Sequence, residues 1–297
     1  MKRLILLFAL VPMLGALAMV AGCDRGGDLN CETTTFEQTS DHSHFSLNAE
    51  LPWGTDKVST AIREDLKRMI DDRLSRITSY EGERYFGPYE GDATDTGAFI
   101  DYYCDKAANV IMRLSDEDAA ERAEYIEADE DLTDERKAEI LAEFPTWEYE
   151  FNLKKTDETS DYVVFDSIDY IYMGGAHGGM IGDGSLTYSK KDGHRVEAFL
   201  DPECVEDIQP LIRKGLAEYF AQEDTDVTPE NLRDFLLIDD DVIPLPSWQP
   251  FPGKDGLTFT YQQYEIAPYA AGMPSFTIPV ADLEKYLTDD AKKLLGL

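Results

Sequence analysis

The sequence predicts an α+β fold in which antiparallel strands pack with helices in two intimately associated subdomains. Strand-like and helix-like segments are interspersed along the chain. Hairpin turn sequences join neighbouring strands, which favours antiparallel pairing over a regular alternation of strand and crossover helix. Hydrophobic residues make up 43% of the chain and aromatic residues 11%, which is enough for a real core and excludes a disordered acidic chain.

The N-terminal half of the fold begins with a predicted strand over 44–52, "HFSLNAELP", in which apolar and polar residues alternate. A helix should follow, because Thr55-Asp56 is a capping sequence and apolar residues then recur at helical spacing. These apolar positions are Val58, Ile62, Leu66, Met69, Ile70 and Leu74. After a loop marked by Gly and Pro, a second helix is expected over about 98–114.

A charge-rich block occupies residues 115–144, with 13 acidic and three basic side chains. It predicts an acidic helical hairpin in which Thr133 caps the second helix. A solvated face is one interpretation of this block, and a docking surface for a basic protein is the other. A calcium loop at Asp129 and Asp131 is excluded, because Asp134 stands where such a loop needs Gly.

Strand patterns dominate after Thr146. "TWEYEFNLKK" and "DYVVFDSIDYIYM" are rich in β-forming residues, and "TDETS" between them predicts a hairpin. Asp192-Gly193 predicts a tight turn. A helix is predicted over 204–221, and "TPENLRDFLL" predicts a short capped helix. The chain should close with strands and a last helix.

The first 22 residues have the plan of an export signal, since Lys2 and Arg3 precede an apolar run and small residues precede Cys23. Val20-Ala21-Gly22-Cys23 resembles a bacterial lipobox, which implies diacylglycerol on the Cys23 thiol and attachment to a bilayer. The alternative is a plain signal peptide or spanning helix with an incidental Cys. We expect a lipoprotein of the bacterial cell envelope that faces the periplasm or the cell exterior, with a tether over 23–43.

The net charge limits the classes of partner, and the cysteine content limits the possible disulfides and metal sites. The formal net charge is −33, so a nucleic acid would be repelled, whereas a cationic partner would be attracted. Solubility alone also accounts for this charge. Besides Cys23, the chain has Cys31, Cys104 and Cys204, and an exported compartment permits one disulfide. Cys31 and Cys104 are the preferred pair because both lie in the N-terminal half. The cysteine spacings match no zinc pattern, and no cofactor is expected.

The stretch "GGAHGG", residues 174–179, predicts an irregular turn. Glycines such as Gly175 and Gly178 reach positive φ and permit close chain approach. His177 would then hydrogen-bond main-chain groups that the turn leaves unpaired. Contact with a partner, or catalysis or metal binding, are the alternatives for His177.

Two further aromatic residues are candidate binding residues. Tyr269, in "IAPYAAG", offers a ring and a hydroxyl, and we expect its loop to lie near the glycine loop so that His177 and Tyr269 border one surface. Trp248, in "LPSWQPFPG", lies among prolines that preclude regular structure. An exposed Trp there would stack on a sugar or a protein, and a packed loop anchor is the alternative.

Four features in order resemble the RsiV-type C-terminal domain of unknown function, which would cover 174–297. They are "GGAHGG", "TYSKKDGHRVEAFLD", "DGLTFTYQQYEIAPYAAG" and "IPVADLEKYL". Members of that family usually carry Asn where Gly179 stands. Residues 44–173 resemble the companion N-terminal module of RsiV and of PdaC-type peptidoglycan deacetylases, with 115–144 as an insertion.

The resemblance implies a binding or sensing module without enzymatic activity. The external domain of RsiV binds lysozyme, a basic protein, and the deacetylases carry a separate metal-dependent domain whose motifs this sequence lacks. We therefore expect a protein ligand, such as a lysozyme-like one, or peptidoglycan. The candidate binding residues are Gly175, His177, Gly178, Trp248 and Tyr269. The alternatives are an envelope hydrolase that uses His177 with an acid such as Asp166 or Asp183, and a structural envelope lipoprotein.

Overall fold

Two β-sheets organise the protein, which a computed structural model describes over residues 28–78, 82–222, 227–238 and 240–297. Together with the helices that pack on them, these mostly antiparallel sheets confirm the α+β prediction. The expected signal peptide, 1–22, and Cys23 lie outside the described residues. Within the described part of the chain, no helix is both long and apolar enough to cross a membrane.

The larger sheet has five strands in sequence order. They are β1 Cys31–Thr39, β2 Ser43–Pro52, β3 Trp147–Glu158, β4 Tyr162–Tyr172 and β5 Gly179–Ser189. Neighbouring strands are antiparallel except for β2 and β3, which run parallel. A parallel pair needs a crossover connection, and three helices supply it. The predictions of a strand over 44–52 and of the "TDETS" hairpin are both confirmed.

The expected tether is wrong for residues 31–39, because β1 pairs with β2 along its whole length. The segment "CETTTFEQT" contains four Thr residues and a Phe, which suit a half-exposed edge strand. Its connection to the strand at 44–52 is only a few residues long, which makes pairing with that strand the shortest closure. Ordered structure therefore begins well before residue 44.

Three helices cross between β2 and β3: α1 Lys57–Ser75, α2 Thr96–Ala128 and α3 Asp134–Ala142. The Asp56 side chain accepts a hydrogen bond from the Ser59 backbone N–H and caps α1, as predicted. α2 continues beyond its predicted end at 114, because the acidic block is rich in Ala and Glu, which favour helix. Thr133 caps α3, so the predicted helical hairpin is confirmed.

The first core lies between the inner face of the large sheet and α1 and α2. Its largest fully buried side chains include Phe45, Tyr103, Tyr149, Phe151 and Phe165.

The predicted disulfide between Cys31 and Cys104 is absent, and the three described cysteines are free thiols. Cys104 is buried on the core face of α2. Burial also raises the pKa of Cys31 to about 12. A disulfide requires two cysteines whose Cα atoms lie close together and whose side chains point towards each other. Two cysteines in the same half of a sequence need not meet that requirement.

The second unit is built on a smaller antiparallel sheet whose three strands lie in sequence order. Its strands and helices are α4 Gln209–Phe220, β6 Phe251–Gly253, β7 Gly256–Thr260, β8 Ser275–Ile278, α5 Val280–Leu283 and α6 Asp289–Leu295. α4 starts later than the predicted 204, because Pro210 is favourable only in a helix's first turn. The short helix predicted in "TPENLRDFLL" is a 3₁₀ turn at Leu232–Phe235.

The units meet across β4 and β5. Tyr162 and Val164, on the outer face of β4, belong to the second core, while Val163 and Phe165, on its inner face, belong to the first. The predicted boundary between 173 and 174 is therefore not where the cores separate. Since side chains alternate between the faces of a strand, β4 contributes side chains to both cores.

Candidate binding surface at the corner between the two units

Two glycines give the loop between β4 and β5 its shape. Gly174 has φ +76°, a conformation that L side chains rarely adopt. A Cβ on Gly178 would collide with the hydroxyl end of Tyr170. Gly175, by contrast, has a φ outside the left-handed region and open space around it. The predicted backbone role therefore holds for Gly178 but not for Gly175.

His177 is exposed, and its ring is fixed by three contacts. Nδ1 lies 2.8 Å from the Gly178 carbonyl oxygen. Because that oxygen only accepts, Nδ1 donates this hydrogen bond, and Nε2 lies 3.0 Å from the Tyr264 hydroxyl oxygen. The ring stacks on Tyr269 at a centroid distance of 3.7 Å and an interplanar angle of 19°. The expected meeting of the two loops is confirmed.

Tyr264 is a site residue that the sequence reasoning missed. It is 56% exposed, its ring lies 5.7 Å from that of Tyr269, and it has φ +65°. A non-glycine residue with positive φ is uncommon and marks a turn held by its surroundings. Here the Glu265 carboxylate accepts from the Gln262 N–H at 2.7 Å and closes that turn. The signal available in the sequence was the run of polar and aromatic residues "QQYEIAPY".

The outer face of the large sheet completes this surface. Tyr172 lies opposite Glu148, and Tyr170 lies opposite Glu150. The Tyr172 hydroxyl donates to the Gly175 carbonyl oxygen at 3.1 Å. Partial burial and then the charge of Glu148 raise the pKa of Tyr170 above its ordinary value.

We call this surface the aromatic corner. It consists of Tyr170, Tyr172, His177, Tyr264 and Tyr269, with Glu148 and Glu150 at its edge.

Trp248 does not belong to the aromatic corner. Only 5% of it is exposed, and its indole N–H donates to the Gly182 carbonyl oxygen at 2.8 Å. The expectation of a ligand-stacking Trp is wrong and that of a packed loop anchor is confirmed, because the ring packs on Gly184, where a Cβ would lie 2.7 Å from the indole Cγ. Trp248 anchors its proline-rich loop to β5.

A β-bulge lies under Trp248. The β4–β5 register shifts between Ser167, opposite Gly184, and Ile168, opposite Gly182, so that Asp183 is the extra residue. Gly182 has φ +130° and Gly184 has φ +71°, conformations for which glycine is suited. The bulge directs the Asp183 side chain towards Arg73 of α1.

Asp169, beside the bulge, is wholly buried. It accepts hydrogen bonds from Arg73 Nη1 at 2.8 Å, the Tyr149 hydroxyl at 3.1 Å and the Asn152 N–H at 3.1 Å. Arg73 also pairs with Asp183. Burial raises the pKa of Asp169, and the positive charge of Arg73 opposes that rise. This network was not predicted from the sequence, although the alternation along β4 places residue 169 on its inner face.

The groups around His177 define the chemistry that the aromatic corner offers. In the described chain, the ring nitrogens of His177 contact a carbonyl oxygen and a phenol. Asp166 accepts from the Ser185 hydroxyl at 2.6 Å, and Asp183 pairs with Arg73. Neither acid orients the imidazole. No group of three or more His, Cys, Asp or Glu residues in this part of the chain is arranged to hold a metal ion. The corner offers aromatic faces, hydroxyls and carboxylates.

Residues 197–281 match the family described as "Protein of unknown function (DUF3298)". A solved member of the DUF3298 family from Bacteroides fragilis has a TM-score of 0.60 and 18% identity, covering 90% of this chain and 96% of that one. A DUF3298 family protein from Pseudomonas aeruginosa has a TM-score of 0.51 and 13% identity, with 89% and 96% covered. At these identities the likeness shows the fold alone. No curated protein matches the chain.

Proposed function

We propose that this protein is a lipid-anchored binding or sensing module of the bacterial cell envelope that acts without enzymatic turnover. Its ligand, a protein or peptidoglycan, binds at the aromatic corner. The observation that supports this most directly is the cluster on fixed loops in which exposed His177 stacks on half-buried Tyr269 and exposed Tyr264 lies beside them. The acylated Cys23 holds the module on the bilayer.

The aromatic corner has the properties of a recognition surface. Tyrosine side chains supply large contact area at low conformational cost and are enriched at interaction hot spots. His177 is held on both ring nitrogens, so little of its freedom remains to be lost on binding. Glu148 and Glu150 at the edge, together with a net charge of −33, favour a ligand that carries positive charge.

Lysozyme is the first protein ligand to examine, because the C-terminal half resembles the RsiV-type domain and lysozyme is basic. The companion N-terminal module is proposed on the same resemblance. A shared fold does not by itself carry specificity, so the test compares lysozyme with soluble peptidoglycan fragments.

The test is a calorimetric titration of the full-length protein in detergent at low and at moderate salt. One of the two ligands is expected to bind, with affinity falling about 10-fold or more in Tyr264→Ala and Tyr269→Ala. Tyr85→Ala removes another exposed tyrosine outside the corner and should change affinity little. Absence of heat with both ligands, or equal losses in all three variants, contradicts the proposal.

Three further measurements test the lipid anchor and the lack of enzymatic turnover in this proposal. Mass spectrometry of the mature protein should find diacylglycerol on Cys23, and Cys23→Ser should move the protein out of the membrane fraction. Incubation with peptidoglycan should release no fragments. Release that disappears in His177→Ala would assign a hydrolase instead.

A further inference from the structure

A groove opens in the helical hairpin formed by the second half of α2 and α3. Its volume is about 720 Å³. The last buried residue of α2 is Ser115 and α3 has no buried residue, so the hairpin extends beyond the body of the fold. Five apolar or aromatic residues line the groove, namely Tyr125, Ile126, Ile140, Phe144 and Pro145.

The floor of this groove is apolar surface without a cover. Tyr125 is 75% exposed, the highest exposure among the large hydrophobic residues of the described chain. Ile126, Ile140 and Phe144 are only half-buried. Apolar side chains that converge on an open groove mark an interaction site more often than scattered surface ones do.

The base of the hairpin is fixed to the sheet. Asp118 accepts from the Arg122 guanidinium at 2.9 Å and from the Trp147 indole N–H at 3.2 Å. Arg122 and Pro145 also lie against Gly174, where an added Cβ would be 3.2 Å from each. The groove is therefore preformed, which lowers the cost of binding there.

The rim of the groove carries unbalanced negative charge. The three basic residues of the block are already engaged: Arg122 with Asp118, Arg136 with Glu139 at 2.9 Å, and Lys137 with the Glu127 carbonyl oxygen at 2.6 Å. No described Lys, Arg or His pairs with Glu121 or Glu143, which line the groove. An occupant with cationic groups would satisfy both its apolar floor and its acidic rim.

We propose that this groove docks a cationic amphipathic helical segment of another protein. Such a helix places its apolar face on Tyr125, Ile126, Ile140 and Phe144 and its Lys or Arg side chains along the acidic rim. A second copy of this chain fits poorly, because the same acidic block would meet itself. The surface is separate from the aromatic corner, so the inference does not rest on the ligand proposed there.

The probe is a fluorescent peptide of Leu and Lys arranged at helical spacing, titrated into the full-length protein at moderate salt. A peptide of the same composition but scrambled order lacks the apolar face and serves as the control. The ordered peptide is expected to bind at least about 10-fold more tightly. Equal affinity for the two peptides would mean diffuse charge attraction and would overturn the proposal.

Substitutions in the groove test whether the ordered peptide binds there. Tyr125→Ala, and the pair Glu121→Gln and Glu143→Gln, should each weaken binding of the ordered peptide about 10-fold. The control pair, Asp255→Asn and Glu284→Gln, removes the same charge from exposed positions of the second unit and should change it less than about twofold. Because the groove residues lie outside both cores, the variants are expected to keep the parent melting temperature. Equal losses in both pairs, or a change of oligomeric state in Tyr125→Ala, would overturn the proposal.

Discussion

At the scale of single residues, the buried carboxylate of Asp169 depends on Arg73. The guanidinium also pairs with Asp183, and only 14% of its side chain is exposed. Removing one member of a buried pair leaves an uncompensated charge, whereas removing both need not destabilise the fold. The network therefore specifies how α1 docks on the sheet and the bulge.

Arg73→Leu should lower the free energy of unfolding by about 3–5 kcal/mol, because it leaves the buried Asp169 carboxylate without its positively charged partner. The double variant Arg73→Leu with Asp169→Leu should recover part of that loss. Arg68→Leu, on the same helix, breaks an exposed pair with Asp65 and should cost about 1 kcal/mol or less. Urea unfolding of the four proteins checks this, and an Arg73→Leu loss no larger than that of Arg68→Leu would contradict the assignment.

At the scale of elements, the bulge in β5 places three groups. It turns Asp183 towards Arg73, presents the Gly182 carbonyl oxygen to Trp248, and leaves room at Gly184 for the indole. A Cβ on Gly182 would collide with the Ser167 carbonyl oxygen, which is backbone of the neighbouring strand and has little freedom to move.

Gly182→Ala should therefore lower the free energy of unfolding by about 2–4 kcal/mol, from backbone strain and steric overlap together. Gly175→Ala is the matched control, because Gly175 has open space and an ordinary φ, and its change should stay within about 0.5 kcal/mol. Thermal or urea unfolding of both variants measures the difference. If the two substitutions cost the same, the bulge is not the constraint described here.

Another link between elements is the His194 bridge. The His194 ring lies 2.7 Å from Asp192 in the turn after β5 and 2.9 Å from Asp290 in the first turn of α6. Hydrogen bonding to Asp192, and secondarily to Asp290, raises the pKa of His194 above its ordinary value of 6.5. The same contact lowers the pKa of Asp192 to about 2, so Asp192 stays charged through the neutral range.

The raised pKa of His194 gives a stabilising contribution that is fully present below about pH 6.5 and lost as the pH rises through the folded-state value. The side chain is 44% exposed, so we expect only about 0.5 kcal/mol. The excess stability of the parent protein over His194→Gln, from urea midpoints, should shrink between pH 6 and pH 8.5. An excess that is constant or grows over this interval would contradict the bridge.

Periodicity predicted most elements, because it records which face of each element is buried. The stripe from Val58 to Leu74 and the alternation over 44–52 gave α1 and β2 to within a few residues. β1 was missed because an edge strand buries little and "CETTTFEQT" has no apolar alternation. Of the aromatic corner, His177 and Tyr269 were found from glycine and proline patterns. The contacts of Tyr264 with His177 and of Asp169 with Arg73 join segments about 90 residues apart. The local patterns at Tyr264 and Asp169 do not identify those distant partners.

At the scale of the whole molecule, the position of Leu29 determines how the fold would be oriented relative to a lipid anchor at Cys23. Leu29 is buried. Its N–H donates to Glu158 at 2.6 Å, and its carbonyl oxygen accepts from Lys155 Nζ at 2.8 Å. The chain is thus attached to the fold at the C-terminal end of β3. Under the proposed acylation of Cys23, the six residues from Cys23 to Leu29 reach at most about 20 Å, which places that end of the sheet close to the bilayer.

The opposite end of β3 begins at Trp147, beside the glycine loop and the hairpin. A strand of 12 residues is about 36 Å long, so both proposed binding surfaces should face away from the membrane. A fluorophore on Ser160→Cys, in the β3–β4 turn, should be quenched by headgroup-attached quenchers in vesicles that carry the lipidated protein. A fluorophore on Glu130→Cys, between α2 and α3, should be quenched several-fold less. Equal quenching at the two positions would show that the molecule lies flat on the bilayer and that the aromatic corner does not project into the surrounding space.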